Sequence, residues 1–284
     1  LKNFLFIFIQ HILPHHLISR IVGWFAQTHT RWIKRFFIEK FASTYAVNMN
    51  EAAQEKLEEY KSFNDFFCRE LKHNARPIAA QEQLLICPAD GAISQSGSID
   101  ASTIFQAKGK SFNTQALLGG DAELAAKFKN GLFCTVYLSP KDYHRVHMPI
   151  TGTLQSMTHI PGALFSVNPA TVNNVNELFA RNERVVSIFE TSIGPVAVIL
   201  VGAMIVASIE TVWAGEVAPR GKKPSVYTYQ NQADIHLERG EEMGRFKLGS
   251  TVILLLPPNA GQWLHSAEAG QTVKMGEALA ELNL

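Results

Sequence analysis

Cysteine is scarce in this chain of 284 residues: Cys68, Cys87 and Cys134 are the three, widely spaced and odd in number. No CxxC pair is present, which excludes a zinc ribbon and a disulfide framework and leaves core thiols in a reducing compartment as the plain reading. Charge is also sparse. Charged residues make up 18% and hydrophobic residues 46%, against roughly 25% charged in an average soluble domain. A disordered, solvated chain is therefore excluded. The net charge of +1 gives no global basic field for nucleic acid. No apolar run reaches the roughly 18 to 20 residues of a transmembrane helix, and no compact signal peptide opens the sequence. A GxSxG elbow, an HGGG-type oxyanion loop, a P-loop and a GxGxxG turn are all missing, so a conventional α/β-hydrolase, a P-loop nucleotidase and a dinucleotide-binding fold are disfavoured.

What is present begins with an asymmetry. Up to Phe41, Lys2, Arg20, Arg31, Lys34, Arg35 and Lys40 face Glu39 alone, among many Phe and Trp residues. Pro14 breaks this stretch into separate helices. In the later helix Trp32, Ile33, Phe36, Phe37 and Phe41 recur at helical spacing, with most basic residues on other faces. That pattern suits a helix lying in a membrane interface, and equally an amphipathic helix packed on a core. Residues 1–49 are read as this amphipathic segment, and 50–83 as a helical connector with Glu51 to Lys61 helix-prone. Residues 84–284 form a β-rich domain with inserted helices such as one around Asp121–Lys129. Its predicted strands are Leu84–Ile86, Gly131–Leu138, Val185–Phe189, Val196–Val201, Ile205–Val212 and Val252–Leu256. The fold class is α+β.

Three short segments carry chemistry-bearing side chains, each with an ordinary structural explanation. Asp90 in Pro88-Ala89-Asp90-Gly91 suits a turn. His144 and His147 are spaced to share a helix face and bind a metal, but spacing suggests no third ligand. Gly249-Ser250-Thr251 before an apolar run suits a turn entering a strand. Together an Asp, a His and a Ser permit a hydroxyl activated by a carboxylate-oriented imidazole, although composition alone establishes no such triad.

The chain resembles the bacterial-type phosphatidylserine decarboxylases along its whole length. The resemblance rests on ordered segments: Phe63-Asn64-Asp65-Phe66-Phe67, Pro88-Ala89-Asp90-Gly91, Tyr143-His144-Arg145-Val146-His147-Met148-Pro149, Pro161-Gly162-Ala163-Leu164-Phe165-Ser166-Val167-Asn168, Leu178 to Arg184, Glu210 to Gly215, and Glu242 to Thr251. It implies a proenzyme that cuts its own Gly249–Ser250 bond into a large chain, 1–249, and a small chain, 250–284, which remain associated. Ser250 would become a covalent pyruvoyl group, with no metal and no pyridoxal phosphate. By the resemblance, Asp90, His147 and Ser250 form the self-processing triad, and His144 protonates the carbanion equivalent left by decarboxylation. The pyruvoyl ketone would form a Schiff base with the serine amine of phosphatidylserine, converting it to phosphatidylethanolamine in phospholipid biosynthesis. Phe165, Ser166 and Asn168 are candidates to line the lipid site, and Arg181 or Arg184 to pair with its phosphate. The implied setting is peripheral, on the cytoplasmic face of an anionic cell membrane, as a dimer of processed units without nucleic acid. The β-rich domain would have barrel-sandwich character, with 1–49 as the membrane-associating segment.

Other readings make different predictions. A lipid hydrolase using Ser250, His147 and Asp90 would keep an intact chain and a serine hydroxyl. A carrier module, suggested by Val273-Lys274-Met275-Gly276, would be modified at Lys274. A degenerate proenzyme would fold without maturing, against which the intact motifs argue.

Overall fold

The computed structural model describes residues 2–204, 208–219, 221, 223–229, 235–247 and 250–284, with residues 2–5 and 250 considered through their backbone alone. Three N-terminal helices come first: α1 (Lys2–Ile12), α2 (His15–Ala26) and α3 (Arg31–Thr44). Pro14 separates the first two, because its ring removes a backbone donor. α2 buries His15, Ser19, Gly23 and Ala26, a stripe at three- and four-residue spacing. α3 buries only Ile38. Its aromatic rings are left outside: Trp32 is 74% and Phe36 62% exposed, as is Trp24 of α2 at 71%.

The connector differs from its expected form. Between residues 50 and 83 the chain makes single 3-10 turns at Met49–Glu51 and Leu57–Glu59, and one short helix, α4 (Phe63–Phe67). Glu51 pairs with Arg76 and Lys274, and Glu55 with Lys72. These charges answer distant partners rather than i,i+4 neighbours, which removes the local support a helix would need. Ser62 caps α4 by accepting from the Asp65 N–H at 3.2 Å.

Four short helices follow: α5 (Thr114–Leu117), α6 (Ala122–Ala126), α7 (Pro169–Val172) and α8 (Leu178–Arg181). Asp121 caps α6, which covers the first part of the helix expected around Asp121–Lys129. The strands are β1 (Leu84–Ile86), β2 (Gly91–Ser98), β3 (Thr103–Ala107), β4 (Lys110–Asn113), β5 (Leu132–Leu138), β6 (Arg145–His147), β7 (Gly152–Ile160), β8 (Arg184–Thr191) and β9 (Gly194–Val201). They continue with β10 (Ser208–Thr211), β11 (Gly215–Ala218), β12 (Ser225–Thr228), β13 (His236–Leu237), β14 (Glu242–Lys247), β15 (Ser250–Leu256), β16 (Gly261–Trp263), β17 (Thr272–Val273) and β18 (Ala278–Leu282). Every predicted strand is present, although residues 205–207 of the one expected at Ile205–Val212 lie outside the described residues.

A nine-stranded sheet runs in the order β12-β7-β8-β9-β15-β5-β2-β17, with β13 also on β7. A four-stranded sheet runs β11-β10-β14-β6, and β1-β18-β16 and β3-β4 form smaller ones. Among the described residues no sheet closes, so the expected barrel-sandwich character becomes open sheets. In the large sheet both faces are covered. Val252, Leu254 and Leu256 enter one apolar cluster while Ile253 and Leu255 enter the other, the alternation that a pleated strand imposes. That is why β8, β9 and β15 read as continuous apolar runs. Gly91 has a steric reason to be glycine: a Cβ there would meet the Tyr137 carbonyl oxygen at 2.3 Å. All three cysteines are buried, and burial pushes the Cys68 and Cys134 thiols up to about 12.

β15 is hydrogen-bonded to β5 on one side and β9 on the other. Leu254 is fully buried there. We expect Leu254→Ala to lower the unfolding free energy by about 2–5 kcal/mol, measured by urea denaturation. A loss within experimental error would show that β15 is not a core strand.

Candidate active site

The connection from β5 to β6 crosses between the large and the four-stranded sheet where β15 begins. β5 ends at Leu138, which pairs with Ser250, the first residue of β15. The chain leaving β5 reaches β6 six residues later. There Arg145 pairs with Arg245 of β14, and the Phe246 N–H donates to the His144 carbonyl at 3.1 Å. β14 ends at Lys247, and only Leu248 and Gly249 separate it from β15. The 139–144 connection therefore runs from beside the start of β15 to beside the end of β14, forming one corner of the molecule. Gly249 lies outside the described residues, and Ser250 enters through its backbone only. The bond expected to break is the one that opens β15 at this corner.

His144 is the side chain the corner buries most completely. Its Nδ1–H donates to the Asp142 carbonyl at 2.8 Å, and its ring lies 4.0 Å from the Phe67 ring. Nε2 has no hydrogen-bond partner among the described residues, and neither does the hydroxyl of Thr251 beside Ser250. Burial lowers the His144 imidazole to about 3, so it is neutral and Nε2 carries a free lone pair. The ring is desolvated with no carboxylate beside it, which is why its pKa falls.

His147 is two-handed. Its Nδ1–H donates to the Gly240 carbonyl at 2.8 Å, and Nε2 accepts from the Tyr143 hydroxyl at 2.9 Å. Burial lowers its pKa as well. Among the described residues the Asp90 carboxylate accepts no hydrogen bond from His147. The Asp90 carboxylate is held by Arg76, with Nε at 2.8 and 3.0 Å, and by the Met275 N–H at 2.9 Å. Arg76 in turn reaches Glu51 at 2.7 Å. Asp90 and His147 are nevertheless close along the backbone, since the His147 N–H donates to the Pro88 carbonyl at 2.8 Å. In a strand-like segment His144 and His147 fall to different partners, as an extended rather than helical reading requires.

The remaining candidates gather elsewhere, where α1 and α2 meet the body. Phe165 packs between His11 and His15, ring centroids at 5.0 and 5.1 Å, with Arg181 over its face at 5.0 Å. The Ser166 N–H donates to Gln10, and Asn168 caps α7 through the Thr171 N–H at 2.9 Å. Arg184 is buried and donates to the carbonyls of Leu117, Asn182 and Ala116. Its guanidinium is fully engaged with backbone, so it offers no phosphate site, and burial lowers it to about 10. The structure gives these five residues docking and capping contacts.

Comparison with known proteins settles the family. A family model described as phosphatidylserine decarboxylase matches residues 63–281, and one described as PSD matches 5–46. The chain belongs to the phosphatidylserine decarboxylase family. It is 55% identical over 282 residues to the phosphatidylserine decarboxylase proenzyme of Saccharophagus degradans, covering 99% of each chain. It is 56% identical over 283 residues to that of Pseudomonas putida strain GB-1, with the same coverage. With that of Ectopseudomonas mendocina it shares 55% over 286 residues, all of both chains.

Within this decarboxylase the site includes residues that sequence reasoning passed over. Tyr143 sits inside a quoted motif, but nothing marked its hydroxyl as the partner of His147. No periodicity connects Arg76 to Asp90, fourteen residues away.

Neutral, buried His144 has a consequence for stability. Unfolded, it binds a proton near its ordinary 6.5; folded, it does so only near 3. The unfolded state therefore binds the extra proton between these values, and stability falls as pH drops through that window. One such group contributes a slope of about 1.4 kcal/mol per pH unit. We expect His144→Gln to flatten the pH dependence of urea unfolding between pH 6 and 4 by about one proton. An unchanged slope would contradict the burial.

Proposed function

We propose that this chain is a self-processing, pyruvoyl-dependent decarboxylase that turns phosphatidylserine into phosphatidylethanolamine. The observation that carries the reading, beside the family, is the corner: Ser250 opens a central strand next to the connection that ends at His144.

In processing, the Ser250 hydroxyl oxygen bonds to the Gly249 carbonyl carbon as the Gly249–Ser250 C–N bond breaks, leaving an ester and a free amine on Ser250. A base must take the hydroxyl proton and return it to that nitrogen. The family resemblance gave this role to His147 held by Asp90. In the uncut arrangement both nitrogens of His147 and the carboxylate of Asp90 are engaged, whereas His144 keeps an open lone pair at Nε2. This favours His144 as the proton carrier and leaves Asp90, His147 and Tyr143 as positioning groups. A ring held neutral by burial keeps a proton only while negative charge develops beside it, which ties protonation to the reacting oxygen. Loss of the Ser250 α-proton then expels Gly249 as a carboxylate and leaves a dehydroalanine enamine. A proton shift from nitrogen to the methylene carbon gives the imine, which water hydrolyses to a ketone and ammonia.

The residues at the corner fit such a group: buried polar atoms of His144 and Thr251 lack partners among the described residues beside Ser250. Once formed, a pyruvoyl group supplies an electron sink for the substrate's amine-bearing carbon when carbon dioxide leaves. The chain's own share is to exclude water around that carbon, with the Phe67 ring packed against His144 at 4.0 Å, and to pass a proton to it through His144 Nε2, the nitrogen left open to take one up.

Membrane association belongs to the same proposal. α1 to α3 expose Phe8, Ile12, Leu17, Trp24, Trp32 and Phe36 on a segment rich in Lys and Arg. Among the described residues no helix is long and apolar enough to cross a bilayer. A segment with these faces docks in the interface, each basic residue near an anionic surface adding about 1 kcal/mol.

Intact mass spectrometry with and without a carbonyl-trapping hydrazine tests the chemistry. Two chains, 1–249 and 250–284, with the adduct on the smaller one are expected, and Ser250→Ala should stay in one piece. A single wild-type chain in the presence of anionic vesicles would overturn the reading.

A further inference from the structure

Among its other largely buried arginines, the fold gives Arg76 and Arg145 an acidic partner and gives every guanidinium nitrogen of Arg184 an acceptor. Arg76 has Asp90 and Glu51, Arg145 has Glu70 and Glu242, and Arg184 has three backbone carbonyls. Arg69 is different. It is 5% exposed and forms no ion pair among the described residues. Its Nη2 donates to the Lys141 carbonyl at 3.0 Å, and its guanidinium carbon lies 5.7 Å from the Phe66 ring centroid. Nε and Nη1 have no hydrogen-bond partner among the described residues. A buried cation without a counter-charge is costly, and proteins keep such groups where a ligand completes them.

Arg69 lines a polar cavity of about 180 Å³ together with Gln54, Tyr60, Asp65, Glu70 and Arg145. Glu70 and Arg145 satisfy each other at 3.1 Å, and exposed Asp65 accepts from the Lys61 N–H at 2.8 Å. Arg69 is thus the lining cation with no anion of its own. Its surroundings place it at the corner: the Phe67 ring lies tilted against His144, the Cys68 thiol donates to the Phe246 carbonyl at 3.2 Å, and Lys141 lies in the connection to His144. On the other side of α4, Phe63 lines an apolar cavity of about 310 Å³ with Phe25, Phe36, Phe37 and Phe41 from α2 and α3.

We infer that the Arg69 cavity seats the phosphodiester of the phospholipid substrate, with Arg69 as the anchoring guanidinium. The inference rests on the proposed function. The substrate carries two anions, and the chemistry separates them. A cation on the carboxylate would stabilise the charge that disappears as carbon dioxide leaves, and so slow the step. A cation on the phosphodiester holds a charge that is the same before and after reaction. A guanidinium fork suits two phosphate oxygens. The apolar cavity beyond Phe63 lies on the side from which acyl chains would come.

The test uses the full-length chain carrying Ser250→Ala, so that binding is read without turnover. Dihexanoylphosphatidylethanolamine, which has the phosphodiester and lacks the carboxylate, is titrated by calorimetry, and dihexanoylphosphatidylserine in parallel. Arg69→Gln is expected to weaken both by the same factor, on the order of ten- to a hundredfold. Unchanged affinity for the ethanolamine lipid, or a loss confined to the serine lipid, would overturn the inference. A second readout needs no Arg69 variant. In ¹⁵N-labelled protein the Arg69 Nε–H resonance should move on adding the ethanolamine lipid; a resonance that stays put at saturation would overturn the inference even if Arg69→Gln fails to fold. The two proposals fail separately. A wild-type chain that decarboxylates the lipid with Arg69-independent affinity sinks only this one, and an uncut wild-type chain with Arg69-dependent affinity sinks only the proposed function.

Discussion

The structure depends on one strand being hydrogen-bonded from both sides. β15 lies between β5 and β9, and its side chains feed both large apolar clusters. The rest of the chain to its end adds β16 and β18 to β1 and β17 to β2. The Met275 N–H holds Asp90, and Lys274 approaches Glu51. A break in front of β15 would therefore sever one covalent link and leave two ladders, a second sheet and an ion network in place. A fold that cuts itself at such a point can change its chemistry without coming apart, because non-covalent burial already holds the 250–284 segment.

The same constraint shapes the corner. The connection from β5 to β6 leaves the large sheet where Leu138 pairs with Ser250, and the side chains of His144 and Thr251 are fully buried there. Burial keeps His144 and His147 neutral. The carboxylate that the triad expectation placed on His147 instead neutralises Arg76. Such a division makes physical sense. A charged Asp90 beside a buried imidazole would favour its protonated form, whereas the arrangement found keeps both rings as bases. Arg69 is the group left over, a cation whose counter-charge the polypeptide does not supply among the described residues.

Much of this was legible in the sequence, for reasons of periodicity. The apolar runs that became β5, β8, β9 and β15 stand out because both sheet faces are covered. Pro14 and the spaced rings of Trp32, Phe36 and Phe37 marked the N-terminal helices. The connector was misread because Glu51, Glu55 and Arg76 look like helix-surface charges until their distant partners are known. Phe165, Ser166 and Asn168 lie in a family motif, yet their contacts with Gln10, His11 and His15 span most of the chain, and no local pattern encodes them. Tyr143 and Arg69 were hidden for the same reason. A hydroxyl or a guanidinium becomes part of a site through what the fold places beside it.

The central claim is the proposal that His144, whose Nε2 has no hydrogen-bond partner among the described residues, and not His147, carries the proton when the chain cuts itself. The most direct measurement is the rate at which the 250–284 chain appears in His144→Ala and His147→Ala proteins, with and without added imidazole. The account predicts that His144→Ala stays uncut until imidazole fills the vacated space and restores cutting. It predicts that His147→Ala cuts slowly without imidazole and gains nothing from it. Cutting of His144→Ala at the wild-type rate, or imidazole rescue confined to His147→Ala, would contradict it.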